Sequence, residues 1–98
     1  MEQRDQIMEI LAKNSHAIRG FGVRSLALFG SYARGEASAD SDLDFLVEFE
    51  KKSFDGYMDF KAYLEGLFGR KVDLVLADAV KPRLRSGILA EAVHAAGF

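Results

Sequence analysis

Residues 25–49 read SLALFGSYARGEASADSDLDFLVEF. Ser25 to Phe29 is a short, almost continuous apolar run, the pattern of a strand covered on both faces. Gly30 and Ser31 break it, and YARG (32–35) suits a short helical turn. The small and polar residues of 35–41, GEASADS, have the composition of a loop. A period of two then sets in. Leu43, Phe45, Val47 and Phe49 share one face of a second strand, while Asp42, Asp44, Leu46 and Glu48 share the other. Two like charges, one residue apart, therefore stand at the mouth of a strand.

Outward from this segment the chain alternates in type. Residues 2–18 predict a helix, with Ile7, Ile10, Leu11 and Ile18 near helical spacing, and RGFGV (19–23) ends it. Residues 50–56 read as a polar loop. Tyr57, Phe60, Leu64, Leu67 and Phe68 form the apolar stripe of a further helix, with Gly69 where a C-terminal cap belongs. KVDLVLA (71–77) predicts a third strand. Pro82 suits the first turn of a last helix, whose apolar side would be Leu84, Ile88, Leu89, Ala92 and Val93. The final HAAGF fits either an extension of that helix or a frayed end. The expected class is α/β (α+β): one domain over residues 1–98, with a small β-sheet of about three strands packed against helices.

Composition narrows the function. A chain of 98 residues buries roughly 60–70% of its unfolded surface, enough for one modest core. A net charge of −2 argues against direct nucleic-acid binding, which needs a basic field. There is no cysteine, hence no disulfide framework and no thiolate metal site. The charged start MEQRDQIMEI lacks the apolar core of a signal peptide, and no run approaches membrane-spanning length. The expectation is a cytoplasmic protein with no membrane partner.

Gly30 and Gly35 have the spacing of a Walker A loop, but Glu36 and Ala37 stand where lysine and Ser or Thr are needed, so that reading fails. A metal reading fares better. Asp42 and Asp44 lie about 6.6 Å apart along a strand, on the same side. Two such carboxylates stay ionised cheaply only if a cation shares them. Oxygen ligands without His or Cys favour a hard ion such as Mg²⁺. Asp73, inside the apolar strand 71–77, is a third acid that needs a partner; it would join the pair if the second and third strands are neighbours. Three acids so placed can hold two metal ions. Ser31 and the turn behind it would offer a hydroxyl and backbone N–H groups to a phosphate, with Gly30 allowing close approach and Arg34 adding a charged contact.

Gly30-Ser31, ten residues, then Asp42-Leu43-Asp44 is similar to the GSx10DxD signature of the DNA polymerase β-like nucleotidyltransferases. With GRKVDLV (69–75) and VKPRLRSGILAEAV (80–93), the chain resembles the minimal nucleotidyltransferase (MNT) family from about residue 25 to residue 93. The resemblance implies a palm-like fold with a small mixed β-sheet, catalytic and metal-binding roles for Asp42, Asp44 and Asp73, and nucleotide binding at Gly30 and Ser31, with Arg34 as a further contact. It implies two Mg²⁺ ions and a nucleoside triphosphate, ATP, as donor. Members are often paired with a HEPN-domain toxin, acting as its antitoxin, and several transfer AMP to a tyrosine of that partner. Two rival readings stay open: an antitoxin that neutralises by binding alone, and a dimeric nucleotidyltransferase for a small molecule. A homo- or hetero-oligomer is compatible with each.

Other residues take blander readings. Ser31 also suits a helix N-cap, and Arg34 a surface pair with Glu36 or Asp40. Tyr32 reads as packing, His16 and His94 as isolated surface residues, and Lys81, Arg83 and Arg85 as a solvated helix face.

Overall fold

The computed structural model describes residues 3–38 and 40–95. Helix α1 spans Gln3–Lys13 and α2 Ser15–Arg19; β1 is Val23–Phe29, α3 Gly30–Arg34 and β2 Leu43–Phe49. Then follow α4 (Phe54–Phe68), β3 (Val72–Leu76), a 3-10 turn at Ala77–Ala79, α5 (Pro82–Glu91) and β4 (Val93–His94). The sheet has the order β3-β2-β1-β4 and is mixed: β2 pairs parallel with β3, and β1 pairs antiparallel with both β2 and β4.

Register assigns the faces. Leu26 pairs with Val47 and Leu28 with Phe45, and both pairs point into the core with Leu43, Phe49, Val72 and Leu74. Ile7 and Leu11 of α1, Ile18 of α2, and Phe60 and Leu64 of α4 cover that face. Aromatic contacts tie α4 to β2, with ring centroids 5.9 Å apart for Phe45–Phe68 and 6.0 Å for Phe49–Phe60. Two hydrogen bonds fasten α4 to the edge strand β3: Tyr57 donates to the Leu74 carbonyl at 2.6 Å, and the Val72 N–H donates to Glu65 Oε2 at 3.1 Å. Satisfying β3 in this way blunts an otherwise open edge.

The opposite face carries Ser25, Ala27 and Phe29 of β1 against Glu48, Leu46 and Asp44 of β2. Helix α5 leans over it and contributes no buried residue of its own.

The α/β class and the mixed sheet agree with the sequence expectation, but helix α4 begins at Phe54, inside the expected 50–56 loop, because Ser53 caps it by accepting the Gly56 N–H, and other elements differ too. The first helix is two, because the chain turns at Asn14, whose Nδ2 donates to the Ile10 carbonyl at 2.8 Å. The sheet has four strands. Helix α5 stops at Glu91 because Val93 and His94 leave to pair with Leu28 and Ala27 of β1, so Val93 is not on the helix at all. Leu84 and Leu89, expected on its apolar side, are exposed. Of HAAGF, His94 is strand and Ala95 is buried with its N–H on the Leu26 carbonyl, while residues 96–98 lie outside the described residues.

Candidate active site

Asp44 is the second residue of β2 and faces away from the helical layer. Its register partners are Phe29, the last residue of β1, and Asp73, the second residue of β3. Parallel pairing of β2 with β3 thus sets Asp44 and Asp73 side by side. The β1–β2 pairing brings the Gly30–Ser31 turn to the same end of the sheet. Asp42 lies one residue ahead of β2 and is exposed, as is Asp73; Asp44 is half-buried.

The electrostatics of this cluster are strained. Burial, the charges of Asp73 and Asp42 and a hydrogen bond with Asp73 push the Asp44 carboxyl up to about 6 from an ordinary 3.8, and Arg34 opposes them. A half-buried carboxylate against two others is a site that gains from a cation, so the donor chemistry fits a hard divalent ion. The tight contact is a pair. Among the described residues no group of three acidic or histidine side chains closes to metal-binding spacing, and Asp42 enters as a neighbouring charge.

Gly30 has φ +76°, and a Cβ built there would lie 2.2 Å from Asp44 Oδ2 and 2.9 Å from its Cγ. Only glycine fits, since any side chain would enter the Asp44 carboxylate and adopt a backbone conformation that L-residues avoid. The turn and the acid therefore occupy one packed unit. Ser31 follows in the first turn of α3, partly exposed, and Tyr32 and Ala33 anchor that turn in the core. Tyr32 is packing, as expected, with the Arg70 guanidinium 5.3 Å from its ring centroid.

Arg34 donates from Nε to Glu36 at 2.8 Å and from Nη1 to Glu91 at 3.1 and 3.3 Å. The Glu36 pair was among the bland expectations, whereas Glu91 was not singled out. One signal was available: an acid in the last turn of a helix opposes the macrodipole and needs a reason to be there. His16, in α2, and His94, in β4, are both exposed, and Lys81, Arg83 and Arg85 are solvated. Arg85 also donates to the Ala77 carbonyl at 3.3 Å.

Along the same sheet face from Asp44, between β1, β2 and α5, runs a cavity of about 280 Å³. Ala27 and Leu46 floor it, Ile88 and Leu89 roof it, and its polar lining is mixed in charge, with Ser25, Glu48 and Asp78 beside Arg85 and His94. Leu46 lies two residues from Asp44 on one side of the strand, about 6.6 Å away at ordinary strand rise.

A nucleotidyltransferase domain model matches residues 5–94, the whole of this architecture. The chain belongs to the nucleotidyltransferase domain family. The protein adenylyltransferase MntA of Thermococcus cleftensis is 41% identical over 92 residues, covering 92% of this chain and 93% of that protein. A solved structure assigned as a minimal nucleotidyltransferase is also 41% identical, with a TM-score of 0.73 over 88% of this chain and 93% of its own. A chain of the solved complex between a tri-AMPylated Shewanella oneidensis HEPN toxin and an MNT antitoxin matches at 19% identity, a TM-score of 0.62, all of this chain and 74% of that one, a likeness of fold. The enzyme is a nucleotidyltransferase of the minimal kind, and the polymerase β-like fold inferred from GSx10DxD is the fold observed. No helix among the described residues is long and apolar enough to cross a membrane.

Proposed function

We propose that this single domain is an Mg²⁺-dependent protein adenylyltransferase that moves AMP from ATP to a hydroxyl, a tyrosine, of a HEPN-domain toxin, acting as its antitoxin in the cytoplasm. The observation that carries the reading is the pairing of Asp44 with Asp73 beside the Gly30–Ser31 turn. The naming of the Thermococcus relative and the toxin complex support the donor and partner.

Asp44 and Asp73, with Asp42 beside them, would hold the divalent ions. Bound there, Mg²⁺ neutralises the triphosphate and lowers the pKa of the acceptor hydroxyl. Ser31 donates its single O–H to an oxygen of the β- or γ-phosphate, and Arg34, whose Nε and Nη1 are taken by glutamates, offers Nη2. The acceptor oxygen attacks the α-phosphorus, the bond to the bridging oxygen breaks, and pyrophosphate leaves. Asp73, the more exposed of the pair, takes the hydroxyl proton. The cavity beyond Leu46 receives the nucleoside, its apolar floor and roof taking the base and the polar side chains at its rim its hydroxyls. Catalysis is then mostly positioning and charge neutralisation.

The test is transfer of label from α-³²P-ATP to a purified HEPN partner in Mg²⁺. Labelling that is lost in Asp44→Ala and Asp73→Ala supports the proposal. A partner silenced equally well by the Asp42→Ala/Asp44→Ala protein, with no label on it, would establish neutralisation by binding instead. Labelling of a small hydroxylated compound alone would point to the dimeric small-molecule enzyme.

A further inference from the structure

Glu91 is the last residue of α5, where its carboxylate faces the carbonyl end of its own helix. It is held there from outside. Its Oε1 accepts the Gly30 N–H at 3.2 Å, and Arg34 Nη1 reaches Oε2 at 3.1 Å and Oε1 at 3.3 Å. These bonds join residues 61 and 57 positions apart, and they tie α5 to α3 although α5 buries no side chain.

Resting on the function proposed above, we propose that Glu91 is a positioning residue for nucleotide binding: it fixes the Gly30 peptide and holds Arg34 facing the acid pair. The Gly30 peptide has little freedom to spare, because its Cα is packed against the Asp44 carboxylate; a rotation there would move both Ser31 and Asp44. Arg34 has two anchors, Glu36 and Glu91. Without Glu91 it keeps a single exposed ion pair, and such pairs are weak against the rotamer entropy of a long side chain. The guanidinium would then be drawn to Glu36 in the loop. The charge of Arg34 also reaches Asp44, so the same anchor serves both halves of the site.

The measurement is calorimetric binding of AMP-PNP with Mg²⁺ to the full chain, alongside its melting temperature. Glu91→Ala should weaken binding by the folded protein about tenfold, the worth of a hydrogen bond to a charged group. Glu91→Gln keeps an acceptor for Gly30 but not the charge for Arg34, so it should fall between the two and carries the test if Glu91→Ala does not fold. Once Arg34→Ala is present, the further loss of Glu91 should cost much less than it does alone. A purely structural cap would lower the melting temperature and leave the dissociation constant of the folded variants unchanged, which overturns the inference. Tighter binding by Glu91→Gln would overturn it too, by showing that the carboxylate competes with phosphate. If the wild type itself fails to bind AMP-PNP, the functional reading falls and this inference with it; if it binds and the variants match it, only the inference falls.

Discussion

Replacing Gly30 by alanine asks the fold and the site the same question. The new Cβ would stand 2.2 Å from Asp44 Oδ2 and 3.1 Å from Asp44 Cβ, so the aspartate must leave its rotamer. Displacing a side chain by ~30° costs about 0.5–1.5 kcal/mol. Holding alanine at φ +76° adds about 1–2 kcal/mol. Stiffening the unfolded chain returns about 0.4–1 kcal/mol. The net loss should be about 0.5–3 kcal/mol, or roughly 2–25 °C in Tm for a domain of this size. Gly69 supplies the control: its φ is +64° and nothing lies within 4 Å of a Cβ built there. Gly69→Ala shares the backbone strain and the entropic return but not the clash. Thermal melts of both variants, followed by AMP transfer at a temperature where both are folded, isolate the Asp44 contact. Gly30→Ala should melt lower than Gly69→Ala and lose transfer at least a hundredfold, while Gly69→Ala stays active. Equal melting temperatures and equal activities would refute the claim that turn and acid are one packed unit.

Three further outcomes are expected. Asp44, pushed up to about 6 from an unfolded value near 3.8, binds its proton more tightly folded than unfolded, so its contribution to stability falls as pH rises from about 4 to about 6. Asp44→Asn should therefore melt a few degrees higher than wild type at pH 7.5 without divalent ions, converge with it near pH 4, and transfer no AMP; an unaltered gap across that range would contradict the strain assigned to the pair. Mg²⁺ with ATP at a hundredfold excess over Kd should stabilise the wild type by about 2.7 kcal/mol and leave Asp44→Ala/Asp73→Ala nearly unmoved, read by scanning calorimetry. Leu89→Trp, at an exposed position roofing the cavity, should raise KM for ATP about tenfold with little change in Tm; an unchanged KM would remove the nucleoside from that cavity.

Much of this was legible in the residues because it depends on local pattern. The alternation from Leu43 to Phe49, the stripe from Tyr57 to Phe68 and the glycine cap at Gly69 are short-range signals; the strand and the cap formed where they put them, and the helix began one turn earlier, at Phe54. The neighbourhood of Asp44 and Asp73 followed from a conditional, that β2 and β3 pair, and they do so in parallel register. What escaped depends on distant parts of the chain. Val93 has the pattern of a helix residue but is drawn off by a free edge of β1, which no local periodicity reveals. Glu91 drew no reading from the sequence, since its partners lie 57 and 61 residues away. Leu84 and Leu89 suit an apolar face, yet α5 spans a cavity instead of packing onto the sheet.

The most direct measurement is a crystal structure with Mn²⁺ and AMP-PNP, the metal located by anomalous scattering. An anomalous peak about 2.1 Å from carboxylate oxygens of both Asp44 and Asp73, with the α-phosphate on its far side and the β- and γ-phosphates at Ser31, is the predicted result. Peaks elsewhere on the molecule, or a nucleotide bound away from the Gly30–Ser31 turn with no metal between Asp44 and Asp73, would contradict it.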